Sequence, residues 1–322
     1  MRTRRAFIAT VVTLAAASSA CGTTEAPAGP APEASGPPVS VVDSRGKEVR
    51  LEHPAARVAA TEWNAAEYLV SLGVMPAAVS DVRGYGEYSS AAPLDASVAD
   101  IGTRGEPSID ALGSLDLDLV VVTGDLPEGA LEQIEAKVPV VVIPGGNAQD
   151  PIGSMFSNVD LIAQATGTQD AAARLKSEFD AKVQAGRAAV RQAGMSGRPV
   201  AFADAYATAG SVTIRPYTRG SLVGAVFERI GLPTAWEMEG DPAYGLAQTD
   251  VEGLTKLGDV PFWYNATSGD PFAENLAGNP IWTNLPFVQK GEVHLLPGEL
   301  WTFGGPKSME RFVDAAIAAV QA

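Results

Sequence analysis

From Val39 onward, short apolar runs alternate with segments whose apolar residues recur at helical spacing. "RVAAT", "PAAVSDV", "DLVVVTG" and "VPVVVIPG" are short, rich in Val and Ala, and bounded by turn residues, so they read as strands. Between them, "NAAEYLVSLG", "SIDALGSL" and "EGALEQIEAK" read as helices. The first stops at Gly73, and Ser108 is placed to cap the second. Ahead of these, "VSVVDSRGKEVRLEHP" predicts two short strands around a Ser-Arg-Gly turn. Strands alternating with amphipathic helices predict an α/β unit with a parallel sheet.

Helices then dominate. "DPIGSMFSNVDLIAQATG" is one, and a second runs from about Asp170 to Gln192. At a rise of ~1.5 Å per residue the second spans over roughly 30 Å, about the width of a domain. The α/β pattern then restarts with strands in "RPVAFADAY" and "SVTIRP" and a helix in "SLVGAVFERIG". A short helix in "DVEGLTKLG", strands in "VPFWYNA" and "EVHLLPG", and a closing helix in "KSMERFVDAAIAAVQA" follow. The expected fold class is α/β, with lobes at 39–149 and 195–322 and a helical segment at 150–194 between them. A cleft between two such lobes is a favoured ligand site.

The first residues obey a different pattern. "MRTRRAFIATVVTLAAASSAC" has a basic head, an apolar stretch and small residues up to Cys21. This is the layout of a secretory signal, placed at 1–20, and the apolar stretch is too short for a stable membrane span. "SSAC" resembles a lipobox, with Ser18 where leucine is usual. Cys21 is therefore the expected lipidation site, holding the chain to a membrane outside the cytoplasm. "TRRAFI" resembles a twin-arginine export signal. Residues 21–38, rich in Pro, Ala and Gly, read as a flexible tether.

Composition narrows the chemistry. A net charge of −15 argues against a nucleic-acid partner. The single cysteine allows no internal disulfide, and the two histidines, His53 and His294, cannot make a His-rich metal site. No Gly-rich phosphate loop or nucleophile elbow is visible. An enzyme is not expected.

Arg104 stands between Gly102 and Gly105 in a segment too broken to be helix. It could pair with Glu106 or Asp100 at the surface, or be aimed at a ligand. "DIGTRGEPSIDALGSLDLDLVV" resembles the aspartate-(aliphatic)-glycine-x-arginine-x-x-proline loop, helix and strand of the binding proteins of iron–siderophore ABC importers. "RVAATEWNAAEYLVSLGVMPAAVSDV", "GSLVGAVFERIGLPTAW" and "PGELWTFGGPKSM" resemble three further stretches of that family in the right order. The resemblance runs from about Val39 to the end and is nearest to the ferric hydroxamate-binding members.

The resemblance implies two Rossmann-like lobes with parallel-rich sheets, a rigid bridging helix and limited hinge motion. It implies a monomer with no cofactor of its own, whose ligand is an iron(III)–siderophore and whose partner is a membrane permease. It places Arg104 on the iron-coordinating oxygens, and Tyr88, Tyr244, Trp301 and Phe303 on aromatic walls, Phe303 standing where relatives carry tyrosine. Asp125 or Leu126 stands near a further family aromatic. Asp110 and Glu252 fall where the family docks on its permease, although acidic residues also suit helix starts. Arg83, Arg215 and Arg219 are expected on loops after strands, with Arg215 the one nearest a ligand role. Trp63 and Trp236 read as core or cleft edge, Trp263 and Trp282 as core. Cobalamin, haem or ferric citrate could fill the same cleft, and a sensory lipoprotein could use it without transport.

Overall fold

A computed structural model describes residues 36–89, 91–208, 211–266, 269–296 and 300–321. The signal, Cys21 and most of the tether lie outside them.

The first lobe opens with β1 (Val39–Val42), which pairs antiparallel with β2 (Glu48–Leu51). β3 (Val58–Ala60), β4 (Ala78–Val79), β5 (Ala99–Asp100), β8 (Leu119–Thr123) and β9 (Val140–Ile143) form a parallel sheet in the order β5-β4-β3-β8-β9. Between β5 and β8 lies a small hairpin, β6 (Gly102–Thr103) and β7 (Glu106–Pro107). α1 (Trp63–Ser71), α2 (Val82–Tyr88), α3 (Ile109–Ser114) and α4 (Glu128–Glu135) connect the strands. Every residue of β3, β8 and β9 is buried. Both sheet faces are covered, and this is why those strands read as unbroken apolar runs rather than alternating ones.

The order of the sheet positions the site. From β3 the chain builds outward to β4 and β5, then returns to the other side of β3 at β8. The loops leaving β3 and β8 therefore diverge, and the crevice they open at the carboxyl ends of the strands is where α/β sheets bind ligands.

α5 (Pro151–Thr166) and α6 (Gln169–Gln192) follow. α6 packs on α5, on α7 (Leu222–Ile230) and on α11 (Pro306–Gln321). Gly186 lets the helices approach: a Cβ there would lie 2.6 Å from Val313 Cγ1 and 2.9 Å from Ile230 Cγ2. The second sheet has the order β11-β10-β12-β13, built from β10 (Ala201–Thr208), β11 (Ser211–Pro216), β12 (Phe262–Tyr264) and β13 (Val293–Leu295). β10, β12 and β13 are parallel, and β11 runs antiparallel to β10. α8 (Pro271–Glu274), α9 (Pro280–Thr283) and α10 (Pro286–Gln289) are single turns, each opened by a proline. One core runs through both lobes by way of the helices, with Leu69, Val159, Phe179, Phe227 and Phe312 in it. Among the described residues no helix is long and apolar enough to cross a membrane.

A buried carboxylate ties the first lobe to the closing helix. Glu67 of α1 is fully buried; its Oε1 accepts from Ser308 N at 2.9 Å and its Oε2 from Ser308 Oγ at 2.6 Å. Ser308 lies in the first turn of α11, where the helix dipole favours a negative charge. Burial pushes the Glu67 carboxyl above its ordinary range, against the pull of these hydrogen bonds.

Two elements differ from expectation. "PAAVSDV" is a strand only at Ala78–Val79, and Asp81 then turns the chain into α2. Gly84 and Gly86 hide this helix from propensity. Asp81 Oδ1 accepts from Gly84 N at 3.0 Å, and a Cβ on Gly84 would lie 2.5 Å from Trp63 Cζ2. "DVEGLTKLG" is only a 3-10 turn at Gly253–Lys256.

Candidate functional site

Arg104 and Gly105 form the turn of the β6–β7 hairpin. Gly105 has φ +79°, so the second turn position needs glycine. Asp100 holds the base of the hairpin, accepting from Gly102 N at 2.8 Å and Val82 N at 3.0 Å. Neither Asp100 nor Glu106 meets Arg104. Its partner is Glu62, which follows β3: Arg104 Nε donates to Oε2 at 2.7 Å, and Nη2 lies 2.6 Å from the same oxygen. The guanidinium carbon is 4.2 Å from the Trp63 ring centroid and 5.4 Å from that of Trp301. Arg104 is thus held edge-on by a carboxylate and face-on by two indoles.

Trp63 is buried, and its Nε1 donates to the carbonyls of Ser80 and Asp81 at 3.1 and 3.2 Å. That fixes the ring as a platform. Tyr88 stacks on it at 5.6 Å and Trp301 meets it edge-on at 4.9 Å. Trp301 meets Phe303 at 5.3 Å, and Phe303 meets Tyr244 at 5.5 Å. Five rings therefore run in contact from the first lobe to the second.

Tyr244 closes this line onto the first lobe. Its Oη donates to Asp125 Oδ2 at 2.8 Å, and Asp125 lies in the loop after β8. Asp241 shapes the Tyr244 loop by accepting from the backbone N of Ala243, Tyr244 and Leu246. The facing loop carries glycine at the point of contact: a Cβ on Gly145 would lie 2.2 Å from Tyr244 Oη and 2.6 Å from Asp125 Oδ2. Burial and the Asp125 carboxylate both push the Tyr244 phenol up.

Arg215 was expected on a loop and lies instead within β11, directly opposite Asp204 of β10. Its Nε donates to Asp204 Oδ1 at 2.8 Å, and Nη2 meets Asp204 Oδ2. Tyr217 Oη lies 2.8 Å from Asp204 Oδ2 and 2.9 Å from Thr302 Oγ1. The Arg215 guanidinium is 5.4 Å from the Phe303 ring.

Glu62, Arg104, Asp125, Arg215, Tyr244, Trp301 and Phe303 line one cavity of about 310 Å³. A second, of about 420 Å³, shares Arg215 and is lined by Tyr88, Asp204, Tyr206, Asn265, Asp270 and Glu274. The structure thus brings together all six residues expected to meet a ligand. Trp63 joins them as the platform, while Trp236, Trp263 and Trp282 are core. Arg83 lies on α2, pairs with Glu87 at 2.9 Å and lines neither cavity, and Arg219 is exposed in a turn. Asp110, in the first turn of α3, and Glu252, before the 3-10 turn, are exposed and line neither cavity. Sequence reasoning missed Glu62 and the part played by Asp125. The signal that finds both is position, since each follows a strand flanking the reversal of sheet order.

Burial raises the Glu62 carboxyl above its ordinary 4.5; Arg104 opposes this and Asp125 adds to it. The folded chain therefore holds this proton more tightly than the unfolded chain. Its contribution to stability is largest below the ordinary value and is lost as pH rises through the raised one. In urea unfolding, the stability of the wild type minus that of Glu62→Gln should fall across the mildly acidic range and level off near neutrality. A difference that climbs over that range would contradict the assignment.

Residues 58–300, most of the chain, match the family described as periplasmic binding protein. The chain is 23% identical over 282 residues to the iron(3+)-hydroxamate-binding protein FhuD of Escherichia coli (strain K12), covering 85% of this chain and 91% of that one. It is 23% identical over 274 residues to the Fe(3+)-citrate-binding protein YfmC of Bacillus subtilis (strain 168), covering 83% and 81%. The crystal structure of Fe3+–Desferal-bound FhuD from Vibrio cholerae superposes with a TM-score of 0.74 at 23% identity, covering 83% of this chain and 98% of that one. The fold is thus two lobes joined by a bridging helix.

Proposed function

We propose that this chain, which belongs to the periplasmic binding protein family, captures an iron(III)–hydroxamate siderophore in the cleft and delivers it to an ABC importer. The observation that carries this reading is Arg104, clamped between Glu62, Trp63 and Trp301 on the wall of the cavity. A ferric trihydroxamate has anionic oxygens around the metal and an apolar shell of methylenes outside them. A guanidinium suits the oxygens, and the line of rings suits the shell. The metal arrives already wrapped, as cargo. The named ligands of the relatives, a ferric hydroxamate and ferric citrate, support an iron chelate in general.

Asp110 and Glu252 are exposed near element starts and fit a role in docking on the permease. Cys21 fits attachment to the outer face of the membrane by lipid, with a monomer acting alone. The test is a titration of the purified protein with ferrioxamine, followed by quenching of Trp63 and Trp301. Saturable one-to-one quenching, with cobalamin, haem, ferric citrate and a ferric tricatecholate inert or weak, is expected. No response to ferrioxamine would overturn the hydroxamate reading.

A further inference from the structure

Loop 240–245 of the second lobe lies against the loop that leaves β9 of the first, at the Asp125 end of the cleft. Ala148 N donates to Pro242 O at 3.1 Å, and Tyr244 Oη donates to Asp125 Oδ2 at 2.8 Å. The approach is too close for side chains along the seam. A Cβ on Gly146 would lie 2.5 Å from Ala243 O and 3.0 Å from Tyr244 Cδ1. One on Gly220, across the seam, would lie 2.8 Å from Ala148 Cβ. None of Gly145, Gly146 and Gly220 has a positive φ, so their backbone alone does not ask for glycine. What asks for it is the passing loop.

This loop travels with its own lobe. Asp241 gathers three of its backbone N–H groups, and Gly245, at φ +64°, sits where a Cβ would lie 2.1 Å from Gly220 C. Thr218 adds two bonds to Gly245 O, from N at 3.1 Å and from Oγ1 at 2.8 Å. On the first lobe Asp125 is exposed, so water can replace the phenol and the bond can open and close.

We propose that loop 240–245 is a strap that holds the empty cleft shut at this end, and that Asp125 latches it by acting through Tyr244. α6 ties the lobes by packing along its length. The strap ties them by two hydrogen bonds, so one substitution undoes it. Asp125 is thus a positioning residue. It sets Tyr244, and through their 5.5 Å contact Phe303, before a ligand arrives, and a wall ordered in advance costs nothing to order on binding. The strap needs no ligand; its effect on capture rests on the hydroxamate reading.

Cys21 is the only cysteine of the sequence. In a Cys21→Ser background, nitroxide labels at Glu132→Cys in α4 and Lys256→Cys in the 3-10 turn, both exposed, therefore report one interlobe distance. Pulsed dipolar resonance on the ligand-free protein should give a single narrow distribution. Tyr244→Phe, which keeps the ring, and Asp125→Ala should each add a second, displaced population. The double variant should add nothing beyond either single, because both break the same bond. Gly146→Ala keeps both latch partners, pushes the strap away and should do the same. Variants that superpose on the wild type would overturn the strap, as would a wild type that already holds both populations. Gly146 lines neither cavity described above, yet Gly146→Ala should speed dissociation of ferrioxamine about fivefold in stopped-flow quenching, the worth of one net hydrogen bond. An unchanged rate would overturn the part of the strap in capture. A wild type that does not bind ferrioxamine would remove the hydroxamate reading alone, since the distances are measured without ligand.

Discussion

Arg104→Ala should weaken binding of a ferric trihydroxamate by about a hundredfold, a loss typical of a central arginine anchor. Three effects combine. The chelate oxygens lose a charged donor, and the faces of Trp63 and Trp301 lose the cation they share. The third effect is the largest, because Glu62 is left as an unpaired, largely buried carboxylate beside the chelate oxygens. Two companions separate these terms. Arg104→Lys keeps the charge but not the planar fork, and should cost about tenfold. Arg104→Ala/Glu62→Gln removes the stranded charge and should bind more tightly than Arg104→Ala alone. Calorimetric titration measures all three. An Arg104→Ala protein within twofold of wild type would reduce this arginine to a surface ion pair.

Glu67→Ala should destabilise the fold by about 3 kcal/mol, roughly 5 °C in Tm for a chain of this size. It strands the backbone N–H and hydroxyl of Ser308 in an apolar setting and takes the negative charge away from the start of α11. The loop before α11 is also set by this contact: a Cβ on Gly304 would lie 2.5 Å from Glu67 Oε2, and one on Gly305 2.8 Å from Tyr68 Cε1. That loop carries Trp301 and Phe303, so ligand affinity should fall along with stability. Glu67→Gln keeps the shape and one acceptor and should cost about half as much. Thermal unfolding decides it, and a Glu67→Ala protein melting with the wild type would show that the contact is incidental.

The sequence discloses most of this fold because its central strands are buried on both faces. "LVVV" and "VVVI" have no reading as surface, and the long helix after Thr168 carries its own periodicity. α2 stays hidden because two glycines lower its propensity, and the Asp81 cap and packing on Trp63 offset that loss. Arg104 is legible as a cation at a bend between glycines, and Trp301 and Phe303 as spaced aromatics on a loop. Their carboxylate counterparts are not. Glu62 meets Arg104 across 42 residues, and Asp125 meets Tyr244 across 119. Such pairs are made by sheet order, which no local pattern encodes. The placement of Arg215 fails for a related reason: "SVTIRP" is legible as a strand, but only its register with β10 sets Arg215 of that strand against Asp204.

The framework and the lining of the cleft are made largely by different residues. α6, Gly186 and the Glu67–Ser308 contact hold the lobes, while Glu62, Arg104, Asp125, Tyr244 and Phe303 line the cavity, and Trp301 both lines it and packs against the core. A lineage carrying this fold is therefore free to change its cargo by drift at a few loop positions. Phe303→Tyr adds a phenol beside Arg215, and Asp125→Asn removes a negative charge from the rim, each within a scaffold that already folds. Adaptation to a new iron source is then a matter of single substitutions at the mouth of the crevice, and the architecture that carries them is inherited intact.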